Sequence, residues 1–118
     1  MSFKPGGKVI KDTLSKIESA IAKINAGASS DKTELVALLG KLKAELAELP
    51  ESRMDEARSI GYFTEAAAHE VTRADASMQL KNLSISGISY AVKGFEVSHP
   101  QIVAVANEIC MILARMGI

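Results

Sequence analysis

The chain has 118 residues, of which 47% are hydrophobic and 24% charged, as expected for one globular domain. Its 14 basic and 14 acidic residues give a net charge of zero, which argues against a general nucleic-acid-binding protein, because that function needs a basic surface. The single cysteine, Cys110, excludes an intramolecular disulfide and a multi-cysteine zinc site. Since no apolar signal segment follows Met1, we expect a cytoplasmic protein.

Two amphipathic helices are predicted after a flexible leader over residues 1–7. The first, over 9–26, carries apolar residues at alternating intervals of four and three, which is typical of a helix in a bundle or coiled coil. These residues form the candidate interface of the chain, in cis or with a second copy: Ile10, Leu14, Ile17, Ile21 and Ile24. Gly27 is the predicted C-terminal cap. The second helix, over 31–49, repeats this spacing with leucines, and Asp31 and Glu34 are spaced as in a capping box.

The middle of the chain predicts two further helices. The third spans about 52–73, and its inner face is built from small residues, so Gly61 should let a neighbouring helix approach closely. The fourth spans about 78–97 and has two apolar faces, which indicates packing between partners. Its start is capped by Asp75 or Ser77. Residues 82–87 also alternate as in a strand, so helix and strand both remain open there.

The last predicted helix, about 99–116, is apolar on nearly all sides and should therefore be surrounded. Ser98 and Gln101 match a capping box, and Gly117 matches a terminal cap. Polar residues at its midpoint would make a membrane span costly, so none is predicted. The sequence therefore predicts an all-α fold: a four- to five-helix antiparallel bundle, one domain over 8–118, with the C-terminal helix central.

Few residues suggest chemistry. His69 lies four residues after Glu65, but a metal site needs three or four ligands, so an exposed pair is the simpler interpretation. His99 should form a local contact at a helix start, although a pH switch is the alternative. Cys110 should be a buried, inert thiol. No known catalytic or phosphate-binding motif occurs, so we predict no enzyme, no catalytic residue, no metal and no cofactor.

The end of the chain carries a more specific pattern. Phe95-Glu-Val-Ser-His-Pro100 is followed by an apolar helix and by Met116-Gly-Ile118. Over about the last 24 residues the chain resembles a family of short, uncharacterised bacterial helical proteins that end in the same way. The resemblance implies a small bacterial cytoplasmic protein and assigns no site residues.

Three hypotheses about function follow. The first is a non-enzymatic helical module for protein–protein interaction or self-association, with itself or another helical protein as partner and no nucleic acid or membrane span. The second is a small accessory or regulatory protein of a bacterial stress or phage-defence system. The third is a ligand-binding or enzymatic bundle with a pocket near Tyr62, His69 and Tyr90.

Overall fold

A computed structural model describes residues 5–24, 30–73 and 75–116, and within them it confirms the all-α fold. The side chains of residues 5–10 are not described. The five helices are α1 Pro5–Ile24, α2 Ser30–Ala47, α3 Met54–Thr72, α4 Met78–Ala91 and α5 Pro100–Arg115. Two short 3₁₀ turns, Glu51–Arg53 and Lys93–Phe95, precede α3 and follow α4.

Each helix packs mainly against two others, so the five helices form a ring in the order α1, α2, α5, α4, α3 and back to α1. The core fills this ring, and every helix contributes at least one side chain with no exposure, for example Ile17, Leu42, Ile60, Ile88 and Ile109. The C-terminal helix, predicted to be central, lies between α2 and α4. It shares the core with the other four helices rather than being enclosed by them, because one side of it faces outward.

The predicted antiparallel packing holds for four of the five neighbouring pairs. A closed ring with an odd number of helices cannot alternate direction throughout, so one pair must be parallel. That pair is α1 and α3. Thr13 lies against Gly61 and, one turn further along both helices, Lys16 Nζ lies 3.7 Å from Glu65 Oε1. An alanine Cβ at Gly61 would lie 2.9 Å from Thr13 Cγ2, so the predicted close helix approach is confirmed.

Several predicted helix boundaries need correction. Residues 82–87 are helical, which removes the strand alternative. The fourth helix ends at Ala91 rather than near residue 97, because the chain turns there to bury Phe95 completely. The first helix already begins at Pro5, inside the predicted leader. Residues 1–4 and the proposed caps Gly27 and Gly117 lie outside the described residues.

The helix caps were predicted with mixed success. Ser77 is the N-cap of α4, and its hydroxyl accepts a hydrogen bond of 3.2 Å from the Leu80 N–H, as predicted. The predicted Ser98 cap was wrong. Helix α5 instead begins at Pro100 after His99, because the Ser98 hydroxyl accepts a hydrogen bond of 2.9 Å from Arg53 Nη1.

Candidate functional site

A broad groove of about 910 Å³ runs between α3 and α4. One flank of α4 beside this groove carries residues at intervals of three and four, which lie on one side of a helix: Leu80, Leu83, Gly87 and Tyr90. Leu83 is 66% exposed and Tyr90 is 76% exposed. Large apolar side chains are therefore open to solvent along two to three turns of one helix.

The floor of the groove depends on a glycine. The ring of Phe63 on α3 lies directly against the backbone of α4 at Gly87, where an added Cβ would be 2.6 Å from Phe63 Cγ. The exposed ring of Tyr62 meets Phe63 edge-on, with ring centroids 5.6 Å apart. Because Gly87 has no side chain, the aromatic ring fills the space between the two helices and gives the groove an apolar base.

The exposed surface of α4 carries no charge. Its single charged residue is Lys81, which is only 5% exposed and donates to the carbonyl oxygens of Ala114 and Met116 at 3.4 and 3.3 Å. Lys81 therefore stabilises the negative C-terminal end of the α5 helix dipole and adds no charge to the groove. Lys93, just beyond α4, lies with its Nζ 5.3 Å from the centre of the Tyr90 ring. The rim of the groove is otherwise formed on α4 by uncharged polar residues such as Ser86.

One end of the groove is closed by a network around Arg53. Its guanidinium pairs with both carboxylate oxygens of Glu56, at 2.8 and 2.9 Å, and donates to the Gly94 carbonyl at 2.6 Å. The same group donates to Ser98 and lies 4.4 Å above the centre of the Phe95 ring. The Arg53 network thereby fixes the connection between α4 and α5 onto the start of α3.

The charges in this network stabilise each other. The hydrogen bond from Arg53 lowers the pKa of the Glu56 carboxyl, and the same bond raises the pKa of Arg53, although partial desolvation opposes both shifts. A bidentate arginine–carboxylate pair has a fixed geometry, so it acts here as a clamp. It orients the backbone of the α4–α5 connection.

The family comparison covers almost the whole chain. A family model described as a domain of unknown function, DUF4404, matches residues 10–118. The chain belongs to this family. Neither the curated proteins nor the solved structures include a significant match to it. Among the described residues of this DUF4404 chain, no helix combines the length and the apolar character needed to cross a membrane.

Three residues of the C-terminal pattern lie in the Arg53 network. Phe95 is fully buried beneath the guanidinium, and Ser98 accepts a hydrogen bond from it. His99 Nδ1 lies 3.0 Å from Ser98 Oγ, and its ring meets Phe95 edge-on at 5.7 Å. His99 therefore forms the local contact predicted for it. In this DUF4404 chain these three residues hold the α4–α5 connection in place.

The four predicted interface residues of α1 whose side chains the structure describes face the chain's own core. Ile17 and Ile24 have no exposed surface, whereas Leu14 and Ile21 are partly buried against the same core. The side chain of Ile10 lies outside the described residues. The first helix thus packs in cis against α2 and α3, and its apolar stripe is occupied.

The residues of the hypothetical pocket do not come together. Tyr90 lines the α3–α4 groove, but Tyr62 and His69 do not. Glu65 pairs with Lys16 rather than with His69. Tyr62 is 59% exposed. In the described part of the chain, no three potential metal ligands cluster.

Cys110 is half-buried, and its Sγ lies 3.7 Å from the Ile85 carbonyl oxygen as a weak donor. Burial raises the pKa of this thiol to about 11. The raised pKa disfavours the thiolate, which is the reactive form, and this gives a physical reason for the predicted inertness of Cys110.

Sequence reasoning missed the α3–α4 groove as a site. The signal was present in the two apolar faces of the fourth helix. One face, with Ile88, Val92 and Phe95, is buried, whereas the face with Leu83 remains open. The pattern indicated two packed faces, but it could not tell which one the other four helices cover.

Proposed function

We propose that this protein is a non-enzymatic interaction module that binds a helix of a partner protein in the α3–α4 groove. The observation that carries the proposal is the open, uncharged apolar flank of α4, with Leu83 and Tyr90 largely exposed. A contiguous exposed apolar surface bordered by polar residues is typical of a protein interaction site.

The shape of the groove supports a helix as occupant. It lies between two antiparallel helices, as in proteins that bind the apolar face of an amphipathic helix. Helix α4 has 14 residues and is therefore about 21 Å long. A partner helix of similar length would place apolar side chains at intervals of three and four residues against Leu83, Phe63 and Tyr90. Tyrosine is among the residues that most often dominate binding energy.

The non-enzymatic part of the proposal rests on how the reactive groups are used. Glu56 is held by Arg53, Glu65 by Lys16, and the Cys110 thiol has a raised pKa. None of them faces a common reaction centre. We infer in addition that the protein is cytoplasmic and bacterial, and that the bacterial proteins with the C-terminal pattern belong to the same family. A regulatory role in a stress or phage-defence system would use the same groove.

The test compares charged substitutions inside and outside the groove. Leu83→Asp or Tyr90→Asp in the tagged full-length chain, expressed at native level in its own cells, should abolish recovery of a specific partner. Val97→Asp is the matched control, because Val97 is 96% exposed but does not line the groove. All three variants should keep the native helical content, since none of the changes affects a buried residue.

The recovered partner is then purified and titrated against each variant. Loss of a central interface residue should weaken binding by about 100-fold or more. Equal affinities for Leu83→Asp, Tyr90→Asp and the native chain would contradict the proposal. The identity of the partner also decides between a general interaction module and a regulatory protein of a defence system.

A further inference from the structure

A second groove lies between α2 and α5, on a different side of the ring from the α3–α4 groove. It consists of two hollows of about 460 and 430 Å³, and Lys41 and Glu108 line both of them. Exposed small side chains such as Ala37, Ala44 and Ala104 line it, and Met111 is 62% exposed beside them. The shared lining residues make the two hollows one continuous groove along the helix pair.

The charges around this groove alternate in sign. Glu34 and Lys41 are separated by seven residues on α2, and Glu108 and Arg115 by seven residues on α5, so each pair spans about two helical turns. The helices are antiparallel. Arg115 Nη2 therefore lies 3.4 Å from Glu34 Oε2 at one end, while Lys41 and Glu108 line the same hollow further along. In order around the groove, Glu34 is negative, Lys41 positive, Glu108 negative and Arg115 positive.

We propose that this α2–α5 face binds a second copy of the same chain around a two-fold axis parallel to the two helices. In a symmetric dimer of this kind, each α2 lies against the α5 of its partner. Glu34 then faces the partner's Arg115, and Lys41 faces the partner's Glu108. Two further acidic residues also fit this arrangement, because Asp31 lies beside Glu34 and Glu45 would face the uncharged Gln101 of the partner subunit.

The charge pattern favours a second copy over an unrelated partner. An interface between identical surfaces must be complementary to itself, and most charged surfaces fail this test because like charges meet. Here opposite charges meet at all four charged positions of the groove. The pairing of α2 with the partner's α5 also repeats the antiparallel contact that these helices make within one chain, and it produces a four-helix bundle.

The size of the face indicates a reversible dimer. Helices of 18 and 16 residues are about 27 and 24 Å long, and two adjacent helices are roughly 20 Å across. The projected face is thus roughly 500 Å², less than the roughly 800 Å² per partner of a standard stable interface. We therefore expect dissociation in the micromolar range. The α3–α4 groove stays open in this dimer, so the inference does not depend on the proposed function.

Sedimentation velocity of the full-length protein between about 1 and 500 µM tests the inference. The native chain should shift from one copy to two as its concentration rises. Lys41→Glu and Glu108→Lys should each raise the dissociation constant by about tenfold or more, since each change brings like charges together at two symmetric positions. The combined variant should restore it to within about threefold of the native value, because the reversed charges again face opposite charges.

Two control variants isolate the effect of the face from that of net charge. Lys11→Glu and Glu96→Lys change the same charges at exposed residues outside the groove, and both should dimerise like the native chain. A native protein that stays monomeric at 500 µM, or single reversals without effect, would overturn the inference. Failure of the combined variant to recover dimerisation would overturn it as well. Partner binding at Leu83 is read separately, so either proposal can fail alone.

Discussion

Three glycines lie in the interiors of α2, α3 and α4, namely Gly40, Gly61 and Gly87. Alanine at Gly40 should stabilise the protein, whereas alanine at Gly61 or Gly87 should destabilise it. Glycine costs about 1 kcal/mol relative to alanine in a helix interior. At Gly40 in α2, an added Cβ would meet no atom within 4 Å. Gly40→Ala should therefore realise most of that gain and raise the free energy of unfolding by about 0.5–1 kcal/mol, or Tm by about 3–5 °C.

The same change should destabilise the protein at Gly61 and Gly87. At Gly61 the new Cβ would lie 2.9 Å from Thr13 Cγ2 and 3.3 Å from the Thr13 carbonyl oxygen, so α1 would have to move. At Gly87 it would lie 2.6 Å from two ring atoms of Phe63. Overpacking costs about 1–3 kcal/mol, which exceeds the helix-propensity gain and leaves a net loss of about 1 kcal/mol.

Urea unfolding of the three variants, followed by circular dichroism, measures these differences directly. The expected order of stability is Gly40→Ala, then the native chain, then Gly61→Ala and Gly87→Ala. If Gly61→Ala were as stabilising as Gly40→Ala, the close contact between α1 and α3 would be refuted. The same result at Gly87 would refute the placement of the Phe63 ring against α4.

Three further predictions concern other parts of the molecule. Ile17→Asp should cost about 3–5 kcal/mol and unfold the chain, because it places a carboxylate in the core; a folded variant by circular dichroism would contradict this. Since Arg53 lowers the pKa of Glu56, that pair stabilises the fold at neutral pH, and its contribution is lost as the pH falls from about 4.5 through the lowered pKa of Glu56. The difference in Tm between the native chain and Arg53→Met should thus shrink on acidification, and a constant difference would exclude the pair as its source. With a pKa of about 11, Cys110 should react with iodoacetamide at pH 8 roughly 100-fold more slowly in the native chain than in urea, and equal rates would refute its protection.

The all-α fold could be predicted from the sequence because apolar residues recur at helical spacing over most of the chain, most regularly in the first two helices. The spacing of Leu35, Leu38, Leu39, Leu42 and Leu46 defines a buried face whatever that face contacts, and all five leucines are buried. Gly61 was also informative, because a costly residue within a helix needs a structural reason. The ring order of the helices was not predictable, since periodicity shows which side of a helix is buried but not which helix covers it.

The candidate sites were harder to predict for the same reason. The apolar stripe of α1 is the most regular in the sequence, and regularity made it the predicted interface. The fold uses that stripe in its own core and leaves the Leu83 flank of α4 open. Ser98 shows a second limit: its spacing matches a helix cap, but Arg53, which is 45 residues away in sequence, engages its hydroxyl instead.

Site-specific photo-cross-linking along α4 tests the central proposal most directly. A photoreactive residue is introduced at positions 83 and 90 on the groove side, and at the exposed positions 82 and 89, which point about 100° away around the same helix. Docking of a partner in the α3–α4 groove predicts a discrete cross-linked product in cells from positions 83 and 90, and little from 82 and 89. Equal yields from all four positions, or no product from 83 and 90, would contradict the proposal.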